Sequence, residues 1–261
     1  MNQTNKWNKP RRAIILSAGQ GRRLLPFTET RPKCLLDIDG KTAIEWQIDA
    51  LLASSISDIS VVIGYGAHQV EQLLNSRYGV GTISTIFNPF YEVADNLASC
   101  WMARQAMQEE FLLLNGDTLF DLPVLLRLLD SPHRPITLAI DRKAHYDSDD
   151  MKVCLDGDRL LQVGKTLPLD TVNGESIGMM YFNTEGAALF REALDLCMHR
   201  QDSLQRWYLS VIDNIAQSTG KVFVQSIEGF GWGELDFPMD LESVRSKARL
   251  WGRTTTIAAQ N

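Results

Sequence analysis

Residues 13–36 read AIILSAGQGRRLLPFTETRPKCLL, and this stretch decides the fold. The apolar run 13–16 predicts a buried strand, and a long loop rich in glycine, arginine and proline follows it. A plain connection between two elements needs only about four to six residues. In open α/β proteins, ligands bind at the carboxyl edge of the sheet, where such a loop lies. The stretch therefore indicates a ligand-binding α/β protein.

The rest of the chain alternates short β-branched runs with amphipathic stretches. Strands are predicted at 59–64, 82–88, 111–115 and 136–140, with helices at 44–53, 69–74, 97–107 and 123–129. Strands that alternate with helices indicate βαβ units and a mainly parallel sheet. We therefore expect a Rossmann-like α/β fold with a mainly parallel, mixed sheet flanked by helices.

The alternation of strands and helices stops in the second half of the chain. Residues 151–155, 159–165 and 176–182 predict strands joined by turns such as Asp156-Gly157, which indicates an antiparallel β excursion over the active site. Helices are predicted at 184–198, 208–218 and 238–251, with a strand at 222–227. No repeat or linker interrupts the pattern, so we predict one domain over 11–251 with flexible tails at 1–10 and 252–261.

The composition of the chain limits the classes of binding partner that it can have. The chain has 261 residues, 44% of them hydrophobic, and a net charge of −6, which leaves no basic surface for nucleic acid. No run approaches the roughly 18 apolar residues of a membrane span. The four cysteines are scattered, with no zinc spacing, as expected of reduced thiols. We therefore predict a cytoplasmic protein that binds neither nucleic acid nor membrane; its oligomeric state is left open.

The opening loop offers backbone donors and two cations. Gly19 and Gly21 allow close backbone approach to phosphate oxygens, while Arg23 and Lys33 suit the departing charge of a triphosphate. Leu24 stands where a dinucleotide-binding loop needs its third glycine, and no G-K-[ST] follows, so those two phosphate-binding loops are excluded. The alternative is a solvated basic turn.

This stretch resembles the nucleotidyltransferase signature of sugar-nucleotide pyrophosphorylases, a strand followed by A-A-G-x-G-[ST]-R-L-x-P-x-T and a P-K pair. The sequence departs from it at Ser17 and Arg22 and matches it at Gly19, Gly21, Arg23, Pro26, Thr28, Pro32 and Lys33. The resemblance implies catalytic roles for Lys33 and Arg23. It also implies nucleotide binding by Ser17, Ala18, Gly19, Gly21, Arg23, Lys33, Gly64, Tyr65 and Asn115.

Two carboxylates are candidates for holding magnesium beside a triphosphate. Asp117 follows the apolar strand in FLLLNGDTLFD, and Asp236 precedes a proline-initiated helix in GWGELDFPMDLE. Mg²⁺ is commonly held by one or two carboxylates with water and substrate phosphates, and the family resembled here uses aspartates at these two places. Asp117 could instead cap a turn. Asp240 is predicted to interact with the helix N-terminus, and the sequence does not assign Glu234.

The middle of the chain indicates a branch of that family. Segments such as NPFYEVADNLASCWMAR and ESIGMMYF are similar to the bacterial CTP:phosphocholine cytidylyltransferases, a group that includes enzymes acting on phosphonates. The resemblance implies a Mg²⁺-dependent transfer of CMP from CTP to a small phosphate or phosphonate acceptor. A sugar-1-phosphate uridylyl- or thymidylyltransferase and a non-catalytic nucleotide-sensing module are the alternatives.

Candidate acceptor contacts follow from the chemistry of an aminoalkyl phosphate. Aromatic faces hold ammonium groups, carboxylates neutralise them, and lysines on adjacent strands can contact the acceptor phosphate; core packing and solvated surface groups are the alternatives. The candidates are Asn96, Lys152, Lys165, Glu175, Tyr208 and Trp232.

Overall fold

A computed structural model describes the backbone of residues 10–258 and the side chains of residues 10–251. A nine-stranded sheet forms its centre, with helices on both faces. The strands are β1 Arg12–Ser17, β2 Asp37–Ile38, β3 Lys41–Thr42, β4 Asp58–Ile63, β5 Ser84–Phe87, β6 Phe111–Asn115, β7 Thr118–Phe120, β8 Ile136–Asp141, β9 Lys152–Asp156, β10 Arg159–Gly164, β11 Gly174–Phe182, β12 Val222–Ser226 and β13 Trp232–Glu234. The α-helices are α1 Ala43–Ala53, α2 Ala67–Tyr78, α3 Asn96–Met102, α4 Leu122–Leu129, α5 Thr184–Met198, α6 Leu209–Thr219 and α7 Asp240–Ala258.

The sheet order is β5-β4-β1-β6-β11-β8-β12-β10-β9. Strands β5, β4, β1 and β6 run parallel, whereas β11 lies antiparallel between β6 and β8. The hairpin of β9 and β10 completes the second half, and β9 also pairs with the start of β11. The prediction of a mixed α/β sheet flanked by helices is confirmed, with parallel pairing concentrated in the first half of the chain.

Alternation along β1 divides the core between the two faces. Ile14 belongs to the cluster beneath α5 and α6, whereas Ala13 and Ile15 belong to the cluster beneath α1, α2 and α4. This follows from the period of two that places successive strand side chains on opposite faces. A third cluster lies beneath α7. Buried faces on both sides explain why the central strands are almost wholly apolar.

The short elements differ most from the prediction. The pairs β2–β3 and β7–β13 form two small antiparallel ladders of two and three residues per strand, too short for a periodic signal. Helix α7 extends to Ala258, so the tail predicted from residue 252 is helical up to that point. Residues 1–9 and 259–261 lie outside the described residues. Within residues 10–258, no helix is long and apolar enough to cross a membrane.

Candidate active site

The loop after β1 is shaped by Gly21. This residue has a left-handed backbone with φ of 76°, and a Cβ built on it would lie 2.9 Å from Lys33 Cβ. Its carbonyl accepts a hydrogen bond from Thr28 Oγ1 at 2.8 Å, which folds the loop back on itself. Only glycine avoids both the strained conformation and the clash. By contrast, a Cβ on Gly19 would meet nothing within 4 Å.

Lys33 lies between the two candidate metal carboxylates. Its Nζ donates to Asp117 Oδ2 and to Asp236 Oδ1, each at 2.8 Å. Burial alone would lower the pKa of Lys33, but the two carboxylates outweigh it and the pKa lies above its ordinary value. Burial would raise the pKa of Asp236, but Lys33 and Arg23 outweigh it, and that pKa is lowered. Lys33 and Asp236 are therefore both charged around neutral pH.

Backbone pairing brings Asp117 and Asp236 together from distant parts of the chain. Glu234 of β13 pairs with Thr118 of β7, and Leu235 N donates to Asp117 O at 3.1 Å. Asp240 is the first residue of α7, and its Oδ2 accepts from the backbone N–H of Asp236 and of Phe237, which precede the helix. The short β7–β13 ladder, which the sequence did not predict, is what joins the two acidic segments.

The donor set at this point fits a hard divalent cation. Asp117 Oδ1 is buried without a hydrogen-bond partner in the described part of the chain. Burial and the carboxylates of Asp117 and Asp236 raise the pKa of the adjacent Glu234. In residues 10–258 no group of three or more acidic, histidine or cysteine residues is arranged to hold a metal. The protein thus offers two carboxylates, as Mg²⁺ sites completed by phosphates and water commonly do.

Arg23 and Lys165 approach the same region from opposite sides. Arg23 Nη1 lies 3.6 Å from Asp236 Oδ2 and 3.8 Å from Asp149 Oδ2. Lys165 Nζ lies 3.3 Å from Asp149 Oδ1 and 4.4 Å from the ring centre of Trp207. These two cations share one exposed carboxylate, so an incoming anion has two positive groups within reach. Asp149 and Trp207 were not predicted.

Two adjoining cavities of about 350 and 180 Å³ open beside these groups. Both are bounded by Gly19 and Asn96, so the two cavities are neighbours. The larger extends to Asn88, Tyr91 and Trp207. The predicted residues that line one or both cavities are Ser17, Ala18, Gly19, Gly21, Lys33, Asn96, Asn115 and Asp117.

Gly64 and Tyr65 lie behind the loop, outside the lining of these two cavities. A Cβ on Gly64 would lie 2.6 Å from Ala18 O, and Tyr65 N donates to that same carbonyl at 2.9 Å. The Tyr65 hydroxyl donates to Glu29 O at 2.5 Å. Both residues therefore support the loop, and their contact with a nucleotide stays a prediction.

Two predicted acceptor contacts are wrong in this structure. Tyr208 is fully buried, so its ring offers no face to a ligand; its hydroxyl donates to Asn115 Oδ1 at 2.9 Å. Lys152 is also buried, and its ammonium donates to the carbonyls of Asp147 and Lys165. Both residues hold other parts of the site in place, and the sequence could not show this because the partners lie in loops or in distant elements.

Glu175 has a partner that the sequence did not predict. Lys143 Nζ lies 2.9 Å from Glu175 Oε2 and 2.8 Å from Asp150 Oδ2. Burial raises the pKa of Glu175 to about 7, although Lys143 acts in the opposite direction.

Trp232 is half-buried and lies four residues before Asp236 in the sequence. Its Nε1 donates a hydrogen bond to Asp141 Oδ2 at 2.7 Å. The polar edge of the Trp232 indole is therefore already engaged.

Comparisons with known proteins agree with this geometry. A family model described as the MobA-like NTP transferase domain matches residues 13–167. The chain is 35% identical over 109 residues to the choline-phosphate cytidylyltransferase of Streptococcus pneumoniae, a match covering 42% of this chain and 46% of that protein. It is 27% identical over 242 residues to the CMP-5'-(3-aminopropyl)phosphonate synthase of Streptomyces rubellomurinus, covering 88% of this chain and 38% of that protein.

The chain thus spans less than half the length of these two curated relatives. Among solved structures, the inositol-1-phosphate CTP transferase from T. maritima superposes with a TM-score of 0.77 at 21% identity, covering 92% of this chain and 96% of that one. This likeness shows a shared fold. Because the family model matches more than half of the sequence, and the matched part carries the glycine loop, Lys33 and Asp117, the chain belongs to the MobA-like NTP transferase domain family of nucleotidyltransferases.

Proposed function

We propose that this protein transfers CMP from CTP to a small phosphate or phosphonate acceptor and releases pyrophosphate. The observation that carries the proposal is Lys33, held by Asp117 and Asp236 beside a cavity bounded by the glycine loop. A lysine, two carboxylates and exposed loop amides are the groups that a nucleoside triphosphate requires. Family membership supports the nucleotidyl transfer, and the names of several relatives support CTP.

In the proposed reaction an acceptor oxygen attacks the α-phosphorus of CTP in line. A new P–O bond forms, the bond to the bridging oxygen breaks, and that electron pair leaves with pyrophosphate. An ionised phosphate or phosphonate is already a nucleophile, so no protein nucleophile is required. The protein contributes orientation and charge: loop amides near Gly19 position the phosphates, while Lys33 and Arg23 stabilise the charge on the leaving group.

Asp117 and Asp236 are the residues that would hold Mg²⁺, which when bound shields the phosphate charge and polarises the P–O bonds. The unpartnered buried oxygen of Asp117 supports this assignment. Both side chains remain about a third exposed, at 29% and 32%, so a cation and water can reach them. The same two carboxylates bind Lys33, so Mg²⁺ and the lysine would share one pair of acidic groups.

For the acceptor we propose a small aminoalkyl phosphate or phosphonate. Lys165 would contact its phosphate, with Asn96 as a further polar contact. The exposed part of the Trp232 ring would face its ammonium group, and Glu175 would supply negative charge at longer range. The proposal also includes a cytoplasmic location, consistent with four free cysteines in the described residues.

A pyrophosphate-release screen tests the proposal. CTP, UTP, dTTP, ATP and GTP would each be combined with phosphocholine, 2-aminoethylphosphonate and glucose-1-phosphate, with Mg²⁺ present or removed by chelation. We expect release with CTP, Mg²⁺ and an aminoalkyl acceptor. Preference for glucose-1-phosphate with UTP or dTTP would replace the cytidylyltransferase assignment by the sugar-nucleotide alternative. Binding of nucleotide without release in any combination would favour the sensing module.

A further inference from the structure

Gln47 lies behind the candidate active site, on α1, with its side chain 1% exposed. Its Nε2 donates to Asn115 O at 2.7 Å and to Thr118 O at 2.8 Å. Only two residues, Gly116 and Asp117, separate these carbonyls in the sequence. One amide group therefore closes both ends of the turn that carries Asp117.

The chemistry of the contact fixes the orientation of the amide. Two backbone carbonyls can only accept hydrogen bonds, so the NH₂ end of Gln47 must face them. Its Oε1 is then buried with no hydrogen-bond partner in the described residues. Burying an unpaired amide oxygen is unfavourable, and an apolar side chain of similar size would avoid it. The presence of glutamine here thus points to a need for the donor.

The turn itself has no room to adjust on its own. Gly116 N donates to Leu16 O at 2.9 Å, and a Cβ on Gly116 would lie 2.1 Å from Ser17 Oγ. On the other side, Asp117 O accepts from Leu235 N, next to Asp236. A shift of this turn would therefore move Asp117 relative to both the glycine loop and the second carboxylate.

We propose that Gln47 is a positioning residue for Asp117: it clamps the turn so that the carboxylate faces Lys33 and Asp236. The functional consequence of this inference rests on the proposed metal-holding role of Asp117. The clamp itself concerns only the two hydrogen bonds that hold the turn. Residues that orient metal-binding side chains without touching the metal typically change affinity or activity 10–100-fold when replaced. We expect an effect of that size on the Mg²⁺ concentration that half-activates the enzyme.

The test compares Gln47→Met, which keeps the volume and removes the donor, with Leu51→Ala, which opens a cavity in the same helix without removing a polar contact. Hydrogen exchange of the Gly116 and Leu235 amides is measured without nucleotide or metal. We expect both amides to exchange at least tenfold faster in Gln47→Met than in Leu51→Ala, after correction for global stability. The half-activating Mg²⁺ concentration should rise at least tenfold in Gln47→Met and stay within about twofold of wild type in Leu51→Ala.

If Gln47→Met does not fold, Gln47→Asn, which keeps the amide but is too short to reach both carbonyls, takes its place. Equal exchange of the two amides in the glutamine variant and in Leu51→Ala would overturn the clamp, whatever the enzyme does. Faster exchange with an unchanged Mg²⁺ requirement would overturn the link from the clamp to Asp117 function. A wild-type protein with protected amides and no pyrophosphate release would instead refute the proposed function and leave the clamp standing.

Discussion

Replacing Lys33 by methionine should destabilise the protein and abolish most of its turnover. The substitution keeps most of the length of the side chain and removes the positive charge that lies 2.8 Å from both Asp117 and Asp236. Removing one partner from a fully buried ion pair costs about 3–5 kcal/mol. Because both carboxylates are about a third exposed, we discount this to about 2 kcal/mol, which lowers Tm by about 4–8 °C in a domain of this size.

The pH dependence of this effect has a definite sign. The pKa of Asp236 is lowered below its ordinary 3.8, so its stabilisation is present above that pH and is lost as the pH falls through the folded-state value. The pKa of Lys33 is raised above 10.5, so its contribution is lost only as the pH rises through its folded-state value. The stability deficit of Lys33→Met should therefore persist from pH 5 to 9 and shrink in acid.

Mg²⁺ should affect the variant and the wild type differently. In the wild type a cation has to compete with Lys33 for the oxygens of Asp117 and Asp236, whereas in Lys33→Met it does not. Excess Mg²⁺ should therefore raise the Tm of the variant more than that of the wild type. The kcat should fall by about 10²–10³-fold, as for the loss of other groups that stabilise transition-state charge.

The matched control is Lys41→Met, which removes a lysine bonded to Asp49 at the surface. With the Lys41 side chain 39% exposed, this change should cost at most about 1 kcal/mol and leave kcat unchanged. Thermal melts with and without Mg²⁺, and pyrophosphate release, measure all of these quantities. The reasoning is refuted if Lys33→Met melts and turns over like the wild type, or if Mg²⁺ shifts both proteins equally.

Three further predictions follow from local geometry. Gly21→Ala should lower both Tm and kcat because its Cβ would press on Lys33, whereas Gly19→Ala should leave Tm unchanged and raise the KM for CTP, since its Cβ would enter the cavity; equal effects in melts and kinetics would contradict this. Because the pKa of Glu175 is raised to about 7, its carboxyl ionises at lower pH in the unfolded state than in the folded state, so stability should fall as the pH rises from about 4.5 to 7, by about 1–3 kcal/mol; denaturant titrations of Glu175→Gln should lack that part of the decline. Trp232→Leu should raise the KM for an aminoalkyl acceptor several-fold, by loss of a cation–π contact, with the KM for CTP unchanged; equal affinity for the acceptor would exclude the ring contact.

The sequence predicted well those elements that have strong local signals. Helix α5 begins and ends as predicted, because Asn183 caps it through a bond to Gly186 N and an apolar stripe follows. The glycine loop could be predicted because its glycines, Arg23 and Lys33 are residue types suited to binding phosphates. By contrast, the β7–β13 ladder has three residues per strand and no periodicity. Yet this ladder is what brings Asp236 to Asp117.

The site residues also differ in how far the sequence could predict them. Lys33, Asp117 and Asp236 could be proposed because each is the chemical type that a nucleotide or metal needs. Tyr208 was placed wrongly because its chemical type fits a ligand contact, while its burial depends on the packing of α6 against the sheet. Lys143 was missed because its partner Glu175 lies on a distant strand, in a pairing that only the fold reveals.

Some of the proposed site residues lie outside the region that the family model matches, and this bears on how far family membership can specify the substrate. The glycine loop, Lys33 and Asp117 lie within the region that the family model matches, whereas Glu175, Trp232 and Asp236 follow it. Relatives of this chain are named for different acceptors. Family membership therefore does not specify the acceptor, which has to be argued from this chain's own residues. Among the later residues, Trp232 is the first place at which a cationic acceptor should be tested, because its ring is partly exposed whereas Lys143 already neutralises Glu175.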